Sequence, residues 1–409
     1  MRRRALAAAF GAALLVLGGA ARAQTVVTAA PDPAHEILSA PFQDETDLRS
    51  GTRLTSGNRL ELLENGVVAF PRKLALIAGA TTHVMVMTMQ WNHDPSGLAY
   101  ADALVARARA GVEVRAVVDG ALTDLRIVSR LRAGGVQVAR YNPWLLGFGG
   151  RRGRMHEKIL CVDLARATVG GMNVADDYAL GDGLLTTRYH DVDLYVEGHA
   201  AGEVARRFLE LYTFLDKTDA AAAALLGHVA TFTQQPAAPA PGRDGHGRVI
   251  ASEPDIGRDF IADYYVRAIR AARVQVLWHV NNTVPVDPLL SELRAAAARG
   301  VRVVIVTNSK VAYQGLQGRL NGWFGWRYVT LIERPKLYRA GIQVYEMDVP
   351  VHSKTITIDG VMASVGSFNF GESSIERNTE QVLVTYDPAT VRAVEEMFER
   401  DLARARRVP

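Results

Sequence analysis

Two stretches of this chain carry the same reactive residues at the same spacing. The first runs His156-Glu-Lys158, then Asp163, then Gly170-Gly171-Met-Asn173. The second runs His352-Ser-Lys354, then Asp359, then Gly366-Ser367-Phe-Asn369, with every interval unchanged. An imidazole, an ammonium and a carboxamide, each supplied twice, suit phosphodiester chemistry. A neutral imidazole can attack phosphorus and form a covalent phosphohistidine. A second can protonate the leaving oxygen and then deprotonate the incoming nucleophile. Lysines and asparagine amides offset charge on the non-bridging oxygens. This chemistry needs no metal or other cofactor, and the sequence has no dense His/Asp/Glu cluster with metal-ligand spacing.

The elements around the motifs must bring two such sets together. In a strand, residues i and i+2 share a face, so His156 projects with Lys158 and His352 with Lys354. An apolar run, Ile159-Leu-Cys-Val162, follows the first pair and would anchor it, whereas the second copy diverges to Thr355-Ile-Thr-Ile358. The glycine-containing turns after them let Asn173 and Asn369 approach the same ledge. The motifs also sit in a longer repeat. Strand-like runs at His83–Gln90 and Val274–Val280 precede alanine-rich stretches at Tyr100–Ala110 and Leu289–Arg299. Gly111-Val-Glu-Val and Gly300-Val-Arg-Val follow, then Gly-Val-Gln-Val138 and Gly-Ile-Gln-Val344. Each half closes on a helical stretch, Ala200–Leu215 or Pro388–Arg406. Strands alternating with helices predict an α/β fold of two pseudo-symmetric α/β/α lobes with mostly parallel sheets. The Pro, Gly and Ala content of 233–247 marks a linker. The lobes are then 24–232 and 248–409, two halves of one site.

The first 23 residues read as a cleavable signal peptide: Arg2, Arg3 and Arg4, an apolar run from Ala5 to Ala20, and Ala21-Arg-Ala23 as the cleavage site. The product would be periplasmic or secreted, with membrane association left open. The 409-residue chain holds 47 basic and 43 acidic residues, for a net charge of +4. Removing residues 1–23 takes four arginines and no acid, so the mature chain is formally neutral. That argues against reading its basic character as a nucleic-acid footprint. The single cysteine, Cys161, has no partner for an internal disulfide and reads as a small buried hydrophobe.

The duplicated H-x-K-x4-D pattern resembles the hallmark of the phospholipase D superfamily. The resemblance spans about Ser56 to Arg406 and is closest to the bacterial cardiolipin synthase-like branch. Ser56-Gly-Asn-Arg-Leu-Glu-Leu-Leu-Glu-Asn-Gly66, Tyr189-His-Asp191 and Asn378-Thr-Glu380 also resemble that branch. It implies a bilobed fold with one active site at the lobe interface, the two histidines facing each other. It implies His156 as nucleophile and His352 as general acid/base, although the pseudo-symmetry of the sequence permits the reverse. Asp163 and Asp359 would hold local structure rather than touch phosphate. Asp191 and Glu380, which follow the two histidines in their own halves, would fix imidazole tautomers. Classical cardiolipin synthases carry N-terminal membrane helices, and the resemblance does not extend to them.

The implied substrate is a phospholipid, and one chain suffices for one active site. Two aromatic segments, Tyr141-Asn-Pro-Trp144-Leu-Leu-Gly-Phe148 and Trp323-Phe324-Gly-Trp326-Arg-Tyr328, suit a membrane interface. Arg151, Arg152 and Arg154 suit a phosphate pocket or nucleic acid equally. The alternatives are an exported metal-independent nuclease of the same superfamily and a non-catalytic lipid-binding scaffold. Intact His, Lys and Asn in both copies argue against the scaffold.

Overall fold

The computed structural model describes residues 32–142, 153–182, 188–233, 245–281, 285–309, 312 and 334–408. The signal peptide, the aromatic segments around Trp144 and Trp323–Tyr328, and Arg151 and Arg152 lie outside the described residues. The N-terminal half contributes β1 (Thr55–Glu64), β2 (His83–Thr88), β3 (Glu113–Asp119), β4 (Gln137–Tyr141), β5 (Ile159–Val162), β6 (Arg166–Gly170) and β7 (Val192–Glu197). The C-terminal half contributes β8 (Gly245–Ser252), β9 (Gln275–His279), β10 (Arg302–Asn308), β11 (Gln343–Met347), β12 (Thr355–Ile358), β13 (Met362–Gly366), β14 (Glu380–Thr385) and β15 (Arg406–Arg407). Among the described residues they form one continuous sheet, in the order 15-11-10-9-12-13-14-8-1-7-6-5-2-3-4. Apart from the short β15, the order reads the same from either end when β1 is matched with β8, β7 with β14 and so on. The repeat in the sequence is therefore a pseudo-two-fold in the sheet.

The expectation of mostly parallel sheets needs correction, although the α/β class stands. Parallel pairing is confined to β2–β3–β4 and β9–β10–β11. The other pairings are antiparallel, and the halves share a sheet through β1 and β8. The reason is local. Helical crossovers such as Pro95–Arg109 connect the outer strands and impose parallel order. The motif strands are instead joined by three-residue loops, Asp163–Ala165 and Asp359–Val361. Asp163 and Leu164 have φ of 52° and 60°, and Asp359 and Gly360 have 52° and 68°. Two left-handed residues in succession make a tight turn, closed where the N–H of Ala165 or Val361 donates to the carbonyl of Val162 or Ile358, and the chain folds straight back into an antiparallel hairpin.

The motif aspartates build these hairpins into the sheet. Asp163 accepts the backbone N–H groups of Thr81, Thr82 and His83 at 3.0, 2.7 and 3.1 Å. Burial pushes its carboxyl up, but these donors outweigh that and hold it down at about 2. Asp359 accepts from Arg273, Val274 and Gln275 at 2.6, 3.0 and 2.6 Å, and His35 lies 3.0 Å away. Each aspartate thus fastens a motif hairpin to the start of β2 or β9.

Both halves bury one core beneath the centre of the sheet. Ala201, Val204 and Phe208 of the helix His199–Leu215 join Val391, Val394 and Met397 of the helix Pro388–Arg404 there. The helix Ala220–Phe232 follows the first of these, where the sequence indicated none. The C-terminal end of the expected linker is β8: Gly245–Gly247 are strand, and Thr55 pairs with Gly247.

Candidate active site

The motif histidines stand just ahead of β5 and β12 rather than within them. What fixes them comes from the opposite lobe. Met155 bridges to Thr379, and the N–H of His156 donates to the Thr379 carbonyl at 3.0 Å. At the pseudo-equivalent place Val351 bridges to His190, and the N–H of His352 donates to the His190 carbonyl at 2.8 Å. Each motif is thereby extended by a strand-like contact from the other half. Two independent lobes would leave these backbone groups without those partners.

The carboxylates follow the same exchange. Nδ1 of His156 lies 2.9 Å from Oε2 of Glu380, and Nδ1 of His352 lies 2.6 Å from Oδ2 of Asp191. The sequence suggests carboxylates that orient the imidazoles, and the structure pairs each with the histidine of the other half. A carboxylate on Nδ1 holds the ring proton there and leaves the Nε2 lone pair for chemistry. Glu380 is itself fixed by Ser367, which donates to Oε2, and by Ser374, 2.6 Å from Oε1. Gly171 occupies the place of Ser367 in the first copy. A Cβ there would run into the Asp191 carboxylate, so the glycine makes room for it.

Both imidazoles and both ammonium groups are buried: His156 is 6% exposed, His352 7%, Lys158 3% and Lys354 2%. Lys158 and Lys354 each donate to the carbonyl of the histidine two residues earlier. Burial lowers His156, against the opposing pull of Glu380. Burial and Lys354 take His352 down to about 3, although Asp191 opposes them. Burial brings Lys158 to about 7, with repulsion from Lys354 adding to it, and brings Lys354 to about 8. Each histidine also senses the lysine of the opposite lobe, so the two sets form one electrostatic site. Asp191 is pushed up by burial, but His352 and Lys354 hold it below its usual range.

The asparagines differ. Nδ2 of Asn369 reaches across to 3.5 Å from Nε2 of His156. Asn173 is engaged within its own lobe, accepting from the Gln90 N–H at 3.1 Å and donating to the Tyr178 hydroxyl at 2.9 Å. Tyr178 in turn stands edge-on to His352, with centroids 5.1 Å apart. Tyr189 lies 5.0 Å from the same ring and stacks on Tyr178. His352 therefore sits against two aromatic rings, whereas His156 has polar neighbours. Nothing in the motif spacing marks Tyr178 or Ser374, because both are carried in by short helical turns after the motifs. Arg154, which suited a phosphate pocket or nucleic acid equally, is committed to buried Asp119, with contacts of 2.5 and 2.8 Å.

The geometry agrees with the relationships of the chain. A sequence model of the PLD-like domain of cardiolipin synthase matches residues 74–209 and 265–402, once in each half. The probable cardiolipin synthase YwiE of Bacillus subtilis is 26% identical over 357 residues, covering 85% of this chain and 67% of that protein. Cardiolipin synthase A of Pseudomonas aeruginosa PAO1 is 28% identical over 371 residues, covering 86% and 68%. The crystal structure of phosphatidylserine synthase from Haemophilus influenzae superposes with a TM-score of 0.66 at 13% identity, covering 90% of this chain and 92% of that one. The fold is shared with that enzyme, and the duplicated site with its crossed partners is what the two family matches enclose. The chain belongs to the phospholipase D superfamily, in its cardiolipin synthase-like branch.

Proposed function

We propose that the protein is an exported phosphatidyltransferase or phospholipase D that acts on phospholipid headgroups through a phosphohistidine on His156. The reading rests on the crossed arrangement: two buried imidazoles, each with Nδ1 on a carboxylate of the opposite lobe, beside two buried lysines. Nε2 of His156 attacks phosphorus as the bond from phosphorus to the headgroup oxygen breaks. His352 gives that oxygen its proton. His352 then takes a proton from an incoming alcohol or water, whose oxygen displaces the imidazole of His156. An alcohol yields a new phospholipid and water yields phosphatidic acid. In the free site burial biases both imidazoles toward neutrality, which suits attack. An anionic diester seated beside them favours the protonated form of His352.

The surroundings of the two rings support this order. Asn369 and a hydroxyl-braced Glu380 orient His156, and the aromatic walls of His352 leave it a proton carrier. Membrane-surface contact draws support from exposed Val67, Val68, Leu122, Leu125 and Leu180. They follow β1, β3 and β6, at the end of the sheet that carries the histidines. The signal read in residues 1–23 supports a reaction outside the cytoplasm.

The test incubates the mature protein in EDTA with phosphatidylglycerol vesicles and, separately, with plasmid DNA. Lipid turnover without DNA cleavage is expected. DNA cleavage without lipid turnover would make the protein a nuclease instead. The lysines set the pH dependence. Each is a cation only below its lowered pKa, so anchoring of the phosphate weakens as pH rises through about 7 and then about 8. For each required proton lost, kcat/KM should fall roughly tenfold per pH unit above that point. A kcat/KM profile flat to high pH would show that the lysine charges are not needed.

A further inference from the structure

Two buried charges lie behind the catalytic residues, one on a long helix packed beneath each half of the sheet. Arg207, on the helix His199–Leu215, is 4% exposed. Its Nη2 lies 2.5 Å from Glu157, the residue between His156 and Lys158. Its Nη1 donates to Glu253, which follows β8 of the other half. Asp401, on the helix Pro388–Arg404, is 1% exposed. Its Oδ2 lies 2.8 Å from Nε2 of His190 and 3.0 Å from Nε2 of His279.

Both imidazoles around Asp401 adjoin the machinery. His190 precedes Asp191, and its carbonyl accepts from the N–H groups of His352 and Ser353 and from the Ser353 hydroxyl. His279 ends β9, and its Nδ1 lies 2.9 Å from Oγ1 of Thr355, the neighbour of Lys354. Asp182, 3.5 Å from Nδ1 of His190, and Arg404, 3.0 Å from Asp182, complete the charged surroundings. On both sides one charge of a closing helix holds one residue from each half, next to a catalytic residue. Buried ion clusters often add no stability over well-packed apolar side chains, so these ions call for a role besides folding.

We infer that Arg207 and Asp401 are positioning residues of the two half-sites. Arg207 holds the His156–Lys158 ledge, and Asp401 holds the contact between Asp191 and His352. Neither touches the reacting groups. The assignment rests on the two-histidine reading above, and its test separates the two.

The full mature chain is compared with its Arg207→Lys and Asp401→Asn variants in three measurements: steady-state kinetics on phosphatidylglycerol vesicles, thermal melting, and NMR of histidine ring nitrogens. Asp401→Asn should lower kcat about 10- to 100-fold with KM within about twofold. It should move the ring resonances and titration of His352 and leave those of His156 in place. Arg207→Lys should do the reverse, because an ammonium cannot span two carboxylates as the guanidinium does. Asp401→Glu, which keeps the charge, should recover part of the lost kcat. If Asp401→Asn does not fold, His279→Gln takes its place, with the same selective effect on His352 expected. Variants that lose only melting temperature, or that move both histidines alike, would overturn the inference. If the wild-type chain turns over no lipid, the functional reading fails, and the ring resonances still decide the positioning roles.

Discussion

Replacing His156 or His352 with asparagine should lower phospholipid turnover by at least about 10⁴-fold, with little further loss in the double variant. Asparagine keeps a polar side chain in a buried place, so the substitution tests chemistry more than folding. Each ring has its Nδ1 held by one carboxylate, and Nε2 is the atom left to act. In the proposed cycle the two rings share a single reaction coordinate, one bonding to phosphorus and one moving the proton, so losing either should stop it. The residual rate comes from Lys158, Lys354 and the asparagine amides, which still bind the phosphate. A substrate with an activated leaving group separates the roles, because its leaving oxygen needs no proton. His352→Asn should then still form an acid-labile phosphoenzyme, and His156→Asn should form none. If both variants kept a tenth or more of wild-type turnover on phosphatidylglycerol vesicles, the two-histidine mechanism would be wrong.

The motif residues were legible in the sequence because their identities and spacing repeat without change between His156–Asn173 and His352–Asn369. The structural role of Asp163 and Asp359 is what the family resemblance implies, and both residues adopt a left-handed turn position that suits aspartate. The sheet was harder to read. Alternation of strands and helices holds for the outer strands, but the hairpins that carry the motifs turn the centre antiparallel. The join through β1 leaves little trace in the sequence, because Thr55–Glu64 is largely polar and partly exposed, with none of the apolar run that marks β5. The crossing of the carboxylates has no local trace. Asp191 lies nearer in sequence to His156, yet its partner His352 is 161 residues away. Pairing of that kind is decided by how two halves meet, and a repeat reports only what each half contains. Asp401 is a partial exception. It falls in line with Val391, Val394 and Phe398 on the buried face of its helix, where an acidic residue is out of place.

The crossed pairing makes Glu380→Gln and Asp191→Asn separable, and each should cost about 10³- to 10⁴-fold in turnover. An amide in place of the carboxylate can donate to Nδ1, which moves the ring proton to Nε2. That removes the lone pair from the atom that must attack or accept. Glu380 belongs to the second half of the chain, but its partner is His156, so Glu380→Gln should suppress formation of the phosphoenzyme itself. Asp191 belongs to the first half and serves His352. Asp191→Asn should leave phosphoenzyme formation from an activated substrate nearly intact. It should slow breakdown of the phosphoenzyme, because the incoming water or alcohol then has no base. Rapid-quench measurement of phosphoenzyme in each variant checks both statements. Partnering within each half would exchange the two phenotypes for a given nucleophile. Trapping in the histidine variants names the nucleophile independently. If Glu380→Gln blocked only breakdown while His156 was the trapped residue, the carboxylate contacts would not control the tautomers.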